Sequence, residues 1–430
     1  MKKNMIQSTF YLILVSFIAK VLSFTIRIFL ARTLSVDAMN YYTLASPTMV
    51  MIITLAQMGI PSALSKVIAE EKQHRNSIKA AILLTLLNNF LLILFFIIFI
   101  PFLSHFILKQ VEMKTICYAI LPLIPMVSFS GILKGYLLGI QLHDIATQSQ
   151  VFEELARILF LIVMFYTNPH MDAIWMATIA MISITVGEIC SAASMFFYLL
   201  KKHSFHYQKY SNRPSLKYYK QILSVSLPMV GSRFIGSFTY FIEPIVMVLS
   251  LNDISREMML DTYGILNGYV LPIITMPSFI TITLSNVLLP AFTFHYTRGH
   301  INKAKKLFNI ILILCFLIGI TTAYLCFNYS EPLLMLLYKK QLGSNLLKMM
   351  AWPFAFYAIQ PVLSAMLHAL SFSNKAMLDT FLGSLLRILF VAFTSNYLKV
   401  ISLPLAMCLG MMLTTILHAY HISVAFYHDK

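Results

Sequence analysis

Charged side chains are scarce in this sequence. Asp, Glu, Lys and Arg make up 11% of its 430 residues, whereas they make up about 25% of a typical soluble domain. Hydrophobic residues make up 59% of the chain, and its mean hydropathy is +0.79. This composition excludes an ordinary soluble protein and indicates one that is embedded in a membrane.

Cysteine is also scarce, and the motifs of common enzymes are missing. The five cysteines lie in apolar segments without CxxC spacing, so they predict neither a disulfide framework nor a zinc site. The histidines are scattered without metal-ligand spacing, and no GxxxxGK[ST] phosphate-binding loop occurs. We therefore expect a transporter rather than an enzyme, with no metal and no cofactor. The sequence does not decide whether transport is coupled to an ion, Na⁺ or H⁺.

Acidic residues are half as frequent as basic ones. The chain has 16 Asp and Glu against 32 Lys and Arg, giving a formal net charge of +16. The basic residues cluster in short loops between apolar segments, which argues against nucleic acid as a partner. Most of them fall in alternate loops, which predicts that both termini are cytoplasmic. The longest such loop, 201–218, is a predicted basic cytoplasmic linker in contact with anionic lipid.

The apolar runs are long and unbroken, as membrane helices require, and do not alternate as barrel strands would. They predict an all-α integral membrane protein with about twelve transmembrane helices. The predicted spans are 8–31, 40–66, 77–102, 114–138, 146–166, 172–200, 219–250, 262–292, 306–328, 346–370, 376–396 and 399–425. They form a predicted N-terminal six-helix bundle over 1–200 and a C-terminal one over 219–430.

Two pairs of segments repeat between these halves. ELARILFLIV at 154–163 matches SLLRILFVAF at 384–393, and the segment 41–66 resembles 263–286. Each half has six spans, so the two halves share one orientation, as in a parallel repeat. Such repeats place a substrate site at their interface, with access that alternates between the two sides. We therefore expect a central cavity between the bundles.

Several cations lie inside the apolar runs, where a charge survives only beside a partner or water. Ser16, Lys20, Ser23 and Arg27 follow helical spacing and share one face of the first span. Arg27 can alternatively extend to the outer interface. Arg233 can meet either a carboxylate of another helix or an anionic substrate. Together with Arg387, Lys20, Arg27 and Arg233 are the predicted substrate-binding residues of a cationic cavity.

The remaining charges within the spans are predicted to be structural or to couple transport to an ion. Glu153 and Glu154 lie one turn before Arg157, so an ion pair within the helix and a functional role both stay open. Arg387 has no acid at this spacing, and we expect its side chain to be freer to face the cavity or another helix. Glu188 and Glu243 are isolated acids. Lys134, near the inner end of its span, is predicted to reach the interface.

Five segments resemble one known family. KVLSFTIRIFLAR at 20–32, YYTLASP at 41–47 and GIPSALSKVIAE at 59–70 are similar to polysaccharide exporters of the stage V sporulation protein B type. QSQVFEELARI at 148–158 and FIEP at 241–244 also resemble patterns of this group. The group belongs to the multidrug/oligosaccharidyl-lipid/polysaccharide flippase superfamily, and related members are the lipid II flippases.

The resemblance implies a substrate. A polyprenyl-diphosphate-linked glycan, such as a precursor of peptidoglycan or another polysaccharide, would move from the inner to the outer leaflet by alternating access. Lys20 stands where lipid II flippases tend to have arginine, and Glu243 stands where the family usually has aspartate. The family often has fourteen spans, so the sequence does not decide whether this chain has a groove for the lipid tail. It does not decide the oligomeric state either.

Two other functions remain open. A multidrug or organic-cation antiporter of the same superfamily would use buried carboxylates with Na⁺ or H⁺, but the excess of cations in the spans favours an anionic substrate. A non-transporting scaffold for cell-wall assembly would not need the polar face of the first span.

Overall fold

The computed structural model describes residues 2–70, 75–202, 215–250, 253–370 and 372–428. Within these ranges the chain forms helices and connecting turns, and a helix or a broken helix lies at each of the twelve predicted spans. The predicted all-α fold is therefore confirmed. Nine segments of this described part are long and apolar enough to cross a membrane, and one of them, Ser373–Phe426, contains two helices. The count of twelve spans and the two-bundle layout stay predictions.

The chain divides into two compact units. The described parts of Met1–Ile26 and Thr33–Phe241 form unit 1, and those of Arg27–Arg32 and Ile242–Lys430 form unit 2. The bounds of the two predicted six-helix bundles, at residues 200 and 219, stay predictions. Most of the predicted basic linker, residues 203–214, lies outside the described residues.

Unit 1 is built from the first nine helices, except for residues 27–32 of the first helix and the part of the ninth beyond Phe241, which belong to unit 2. The helices are α1 (Lys2–Thr33), α2 (Val36–Gln57), α3 (Ile60–Glu70), α4 (Arg75–Phe102), α5 (Met113–Tyr118), α6 (Leu123–Gly139), α7 (His143–Thr167), α8 (Ala173–Lys202) and α9 (Leu216–Leu249).

A two-residue break separates α2 from α3. Met58 and Gly59 both have positive φ angles, 47° and 64°. This backbone region is accessible to glycine at little cost. A β-carbon at position 59 would also lie 2.9 Å from the carbonyl oxygen of Ser226 in α9. Glycine thus permits both the break in the helix and the close approach of α9.

Apolar side chains fill the interior of unit 1 and also cover part of its surface. Ile60, Leu64 and Ile68 of α3 pack with Ala80 of α4 and Ile222 of α9 in one buried cluster. On α4, by contrast, large apolar side chains are exposed at Leu86, Leu87, Phe90 and Ile98. A soluble surface rarely presents such a contiguous apolar face, whereas lipid is a suitable neighbour for it.

Unit 2 contains the remaining nine helices. They are α10 (Asp253–Ile265), α11 (Leu271–Thr275), α12 (Ser278–Thr297), α13 (Ile301–Asn328), α14 (Ser330–Tyr338), α15 (Ser344–Ala355), α16 (Gln360–Ala369), α17 (Ser373–Leu398) and α18 (Ser402–His428). Phe292, Phe308, Leu363 and Ile422, from α12, α13, α16 and α18, meet in one buried cluster. This core holds the helices that position the site residues of unit 2.

The helix of the predicted span 262–292 is interrupted. A π-helical turn at Leu266–Val270 follows α10, and two turn residues, 276–277, separate α11 from α12. Pro272 and Pro277 lie at the N-terminal ends of α11 and α12, where proline is tolerated because its missing N–H has no helical partner. This predicted span is therefore present as a broken helix.

Candidate functional site

A polar cavity lies between helices of unit 1. It has a volume of about 240 Å³ and is lined by residues of α1, α6, α7 and α8. The lining residues are Ala19, Lys20, Lys134, Gln150, Glu153, Glu154 and Glu188. The side chain of Gln148 in α7 donates a hydrogen bond to the Tyr11 hydroxyl of α1, which holds these two helices together on one side of the cavity.

Acidic and basic side chains form ion pairs in and beside this cavity. Arg157 Nη1 donates to Glu154 Oε2 at 2.9 Å, and Lys134 Nζ lies 3.6 Å from Glu153 Oε2. Glu188, only 8% exposed, accepts a hydrogen bond of 2.5 Å from the Ser130 hydroxyl. Arg157 is therefore paired within its own helix, which was one of the two alternatives that the sequence left open.

Lys20 differs from Lys134, the other cation that lines this cavity. Its side chain is exposed, and among the described residues no carboxylate lies within 4 Å of its ammonium group. Lys134 has a partner that the sequence did not show, because its side chain contacts Glu153 in the cavity, and its reach to the interface stays a prediction. The cavity thus contains three carboxylates beside its cations, which makes it mixed in charge instead of purely cationic.

A second and larger cavity lies within unit 2. Its volume is about 460 Å³, and α17 and α18 contribute Thr380, Gly383, Arg387, Thr414 and His418 to its wall. Arg387 Nε donates to Glu243 Oε1 at 2.7 Å, and Arg387 Nη2 donates to Glu243 Oε2. Glu243 comes from α9 and is fully buried, whereas the Arg387 side chain is 25% exposed.

Arg387 has both of the surroundings that the sequence left open for it, because it lines the cavity and also pairs with a carboxylate of another helix. Its own helix indeed provides no carboxylate one turn away, but Glu243 provides one from 144 positions earlier in the chain. Arg387 therefore holds a buried carboxylate while it borders the cavity. Whether it also contacts substrate stays a prediction.

The two arginines share a further feature. A β-carbon at Gly187 of α8 would lie 2.6 Å from Arg157 Cγ, and one at Gly410 of α18 would lie 3.2 Å from Arg387 Cβ. Each arginine thus packs against a glycine of the following helix. The sequence repeat is matched by a repeated local arrangement, although the acid partner differs between the two units.

Three titratable residues that sequence reasoning did not place together meet in unit 2. Asp379 Oδ2 lies 2.9 Å from His418 Nδ1 and 3.0 Å from His421 Nδ1. The carboxylate precedes these histidines by 39 and 42 residues, so no local spacing joins them. The three-residue interval between the histidines, which places both on one helix face, was the available signal.

The end of α1 contacts α14 within unit 2. Arg32 Nε and Nη2 donate to the carbonyl oxygens of Leu337 and Leu336 at 2.6 and 2.7 Å. These carbonyls belong to the last turn of α14, where a cation is favourable. Burial raises the pKa of the neighbouring Tyr338 hydroxyl, and the charge of Arg27 acts in the opposite direction. Arg27 itself is exposed.

The four predicted binding cations do not all belong to one unit. Lys20 and Arg233 are in unit 1, and Arg27 and Arg387 are in unit 2. Arg233 of α9 is exposed, and neither it nor Arg27 has a carboxylate within 4 Å in the described part of the chain. A common cavity for all four cations stays a prediction.

Long apolar helices with paired charges between them define a multi-span helical membrane protein, and the comparisons with known proteins identify its family. A family described as polysaccharide biosynthesis protein matches residues 5–294. The chain therefore belongs to the polysaccharide biosynthesis protein family.

Individual relatives agree with this assignment. The chain is 29% identical to stage V sporulation protein B of Bacillus subtilis (strain 168), over 98% of this chain and 84% of that one. An inward-facing multidrug resistance MATE family transporter of the MOP superfamily gives a TM-score of 0.73 at 15% identity, covering 94% of this chain and 95% of that one. Lipid II flippase MurJ in an inward closed conformation gives 0.71 at 13% identity, covering 95% and 87%.

The solved structures confirm the predicted fold, which is that of MOP superfamily transporters. The chain is a multi-pass membrane protein, and the prediction of a transporter rather than an enzyme agrees with its family. Both multidrug transporters and a lipid II flippase share the fold, so the fold alone does not select the substrate.

Proposed function

We propose that this protein is a flippase that moves a polyprenyl-diphosphate-linked glycan from the inner to the outer leaflet by alternating access. The substrate would be a precursor of peptidoglycan or of another polysaccharide. Family membership and the similarity to stage V sporulation protein B and to a lipid II flippase support this class of substrate.

The observation that carries the proposal is the division of the membrane cations into two kinds. Arg157 and Arg387 are paired with Glu154 and Glu243. Lys20, Arg27 and Arg233 are exposed, and in the described ranges no carboxylate pairs with them. Unpaired cations in apolar helices are costly unless they serve a function. A diphosphate would supply the missing negative charge.

The direction of movement follows from electrostatics. With the inside-negative membrane potential, outward movement of an anion is favoured by about 2.3 kcal/mol per charge per 100 mV. The proposed substrate carries its negative charge on the diphosphate, so the potential itself would favour export. This chain therefore needs no ATP-hydrolysing site of its own for the proposed direction.

Proteoliposomes give a direct test of the proposal. The purified full-length protein is reconstituted, a fluorescent undecaprenyl-diphosphate-linked disaccharide is placed in one leaflet, and its appearance in the other leaflet is followed by quenching. We expect Lys20→Ala and Arg233→Ala to slow this movement at least tenfold with unchanged protein content. Lys303→Ala, which removes an exposed cation from the first turn of α13, is the matched control. Movement that is equal in all variants would contradict the proposed role of the cations.

The alternative is an organic-cation antiporter, which the similarity to MATE family transporters favours. Such a transporter would need an acid that is free to meet a cation. Glu243 is engaged by Arg387, and Glu188 accepts a hydrogen bond from Ser130. Ethidium efflux that depends on Glu188 or Glu243, together with glycan movement that is independent of Lys20, would favour the antiporter.

A further inference from the structure

The strongest unassigned feature is the cluster that Asp379, His418 and His421 form in unit 2. One carboxylate oxygen, Asp379 Oδ2, meets the Nδ1 atoms of both imidazoles at 2.9 and 3.0 Å. The Asp379 side chain is only 1% exposed, the His418 side chain 4% and the His421 side chain 23%. An ionised carboxylate can only accept hydrogen bonds. Both Nδ1 atoms must then carry hydrogen, which leaves each ring its Nε2 for a further proton.

The charge of this cluster depends on one proton. With Asp379 ionised and both imidazoles neutral, the cluster has a net charge of −1. Binding of one proton at an Nε2 converts one ring to imidazolium and makes the cluster neutral. A buried, uncompensated carboxylate is strongly unfavourable, and a proton on either ring would supply the compensating charge.

The neighbouring charged and titratable groups of the described chain have contacts other than Asp379. Lys375, one turn before Asp379 on α17, lies with Nζ 4.4 Å from the centre of the Phe372 ring. Across the cavity, Arg387 is held by Glu243. From α16, His368 Nδ1 shares a hydrogen bond of 2.9 Å with the Ser373 hydroxyl. From α13, Lys305 Nζ lies 3.4 Å from the carbonyl oxygen of Phe426. From α15, Lys348 pairs with Glu331 at 3.4 Å. Tyr357, which lines the same cavity as His418, is an uncharged phenol.

A metal ion or Na⁺ fits the cluster less well than a proton. Both imidazoles direct Nδ1 toward the same carboxylate oxygen, so N–H groups cover the atom that a cation would need. Hard cations prefer several oxygen ligands. In the part of the chain that the structure describes, no group of three His, Cys, Asp or Glu side chains is arranged to hold a metal ion.

One side of the cluster borders the larger cavity, the one in unit 2. His418 is part of the wall of the 460 Å³ cavity, together with Thr380, Thr414 and Arg387. His421 lies one turn further along α18 and is the more exposed of the two rings. The three side chains therefore join the cavity to a second, more accessible position through hydrogen bonds, which is the arrangement that proton transfer requires.

We propose that Asp379, His418 and His421 form a proton-binding site, which takes up one proton and exchanges it with the cavity of unit 2. Proton binding does not depend on what the protein transports. Coupling of this proton to the movement of a lipid-linked glycan rests on the proposed function, and it makes H⁺ the coupling ion that the sequence left open.

Proton binding can be measured without any substrate. Full-length protein labelled with ¹⁵N-histidine is reconstituted in lipid nanodiscs and titrated by NMR from about pH 5 to about pH 9, which brackets the ordinary histidine pKa of about 6.5. The signals of the two rings are assigned by their loss in His418→Gln and His421→Gln. We expect the pair to take up one proton as a unit. Asp379→Asn should lower the midpoint by about 1 to 3 pH units, because a nearby opposite charge is removed.

The controls separate this site from the remaining histidines. His170→Gln and His300→Gln remove exposed histidines of unit 1 and unit 2 and should leave the two signals unchanged. Rings that stay neutral over the whole range, or that titrate identically in wild type and Asp379→Asn, would overturn the proposal. If Asp379→Asn does not fold, each single histidine variant still tests coupling, since the remaining ring should then titrate at a changed midpoint.

Coupling is tested with the fluorescent undecaprenyl-diphosphate-linked disaccharide in proteoliposomes. A gradient of one pH unit changes proton occupancy by up to about tenfold. The rate with the gradient divided by the rate without it should differ from one in wild type and return to one in His418→Gln and His421→Gln. If the probe does not move in wild type, the proposed function fails while the NMR titration still decides proton binding. If the probe moves and all proteins respond equally to the gradient, the function stands and the coupling is wrong.

Discussion

Arg387 of α17 donates hydrogen bonds to both carboxylate oxygens of Glu243 in α9, from Nε to Oε1 at 2.7 Å and from Nη2 to Oε2. This bidentate geometry is the strongest form of an arginine–carboxylate contact. The Glu243 carboxylate is fully buried, whereas Arg387 is partly exposed to the cavity. The two partners therefore differ in what each would lose if the other were removed.

Loss of Arg387 should be more harmful than loss of the Glu243 charge. Arg387→Ala leaves an uncompensated carboxylate in a dry position, and removal of one partner of a buried pair costs about 3–5 kcal/mol. Glu243→Gln leaves a guanidinium that water in the cavity can still solvate. We expect the thermal unfolding midpoint of purified protein to fall most in Arg387→Ala, less in Glu243→Gln, and to recover partly in the double variant.

An exposed cation provides the control for this comparison. Lys303→Ala should leave the midpoint unchanged, because Lys303 is exposed and the described structure gives it no carboxylate partner. Equal losses in both single variants, with no recovery in the double variant, would contradict an ion pair between Arg387 and Glu243.

The close contact between α17 and α18 makes a second prediction. A β-carbon at Gly383 would lie 2.6 Å from the carbonyl oxygen of Gly410 and 2.0 Å from the Thr414 hydroxyl oxygen. Gly383→Ala must therefore push the helices apart, and overpacking of this kind typically costs about 1–3 kcal/mol. We expect a lower unfolding midpoint and less folded protein by size-exclusion chromatography.

Gly236 is the matched control for that substitution. It also lies inside a long helix, but nothing lies within 4 Å of an added β-carbon. Gly236→Ala should leave stability unchanged or raise it by about 0.4–1 kcal/mol through the unfolded state. If both substitutions lower the midpoint equally, the helix contact at Gly383 is not the reason.

The structure also distinguishes the two acids that precede Arg157. Arg157 bonds Glu154, whereas Glu153 faces Lys134. Glu154→Gln should therefore partly restore the amount of folded protein in an Arg157→Ala background, because it removes the stranded charge. Glu153→Gln in the same background should restore less. Fluorescence-detected size-exclusion chromatography of tagged protein measures these amounts, and equal rescue by the two acids would refute the assignment.

The sequence predicted the helices better than it predicted the charge partners. Long apolar runs place helices because each membrane-embedded backbone group must be satisfied within its own segment. The pair of Arg157 and Glu154 was also visible in the sequence, because residues three apart share a helix face.

Partners on different helices carry no such local signal. Glu243 and Arg387 are 144 residues apart, and Asp379 and His418 are 39 apart. Helix packing alone brings these side chains together, so an arginine that looked unpaired in sequence has a buried partner. The partner of Lys134 was not visible for the same reason, because Glu153 lies on the neighbouring helix α7.

The orientation in the membrane gives the last prediction. The lysines and arginines of the loops predict cytoplasmic termini, which would place the loop around Gln341 outside and the basic loop that contains Gln208 inside. The five native cysteines are first replaced, and single cysteines are introduced at these two positions. A membrane-impermeant maleimide added to intact cells should label Gln341→Cys and spare Gln208→Cys. Both should be labelled after the membrane is permeabilised, which controls for accessibility, and the reverse pattern in intact cells would show that the predicted orientation is wrong.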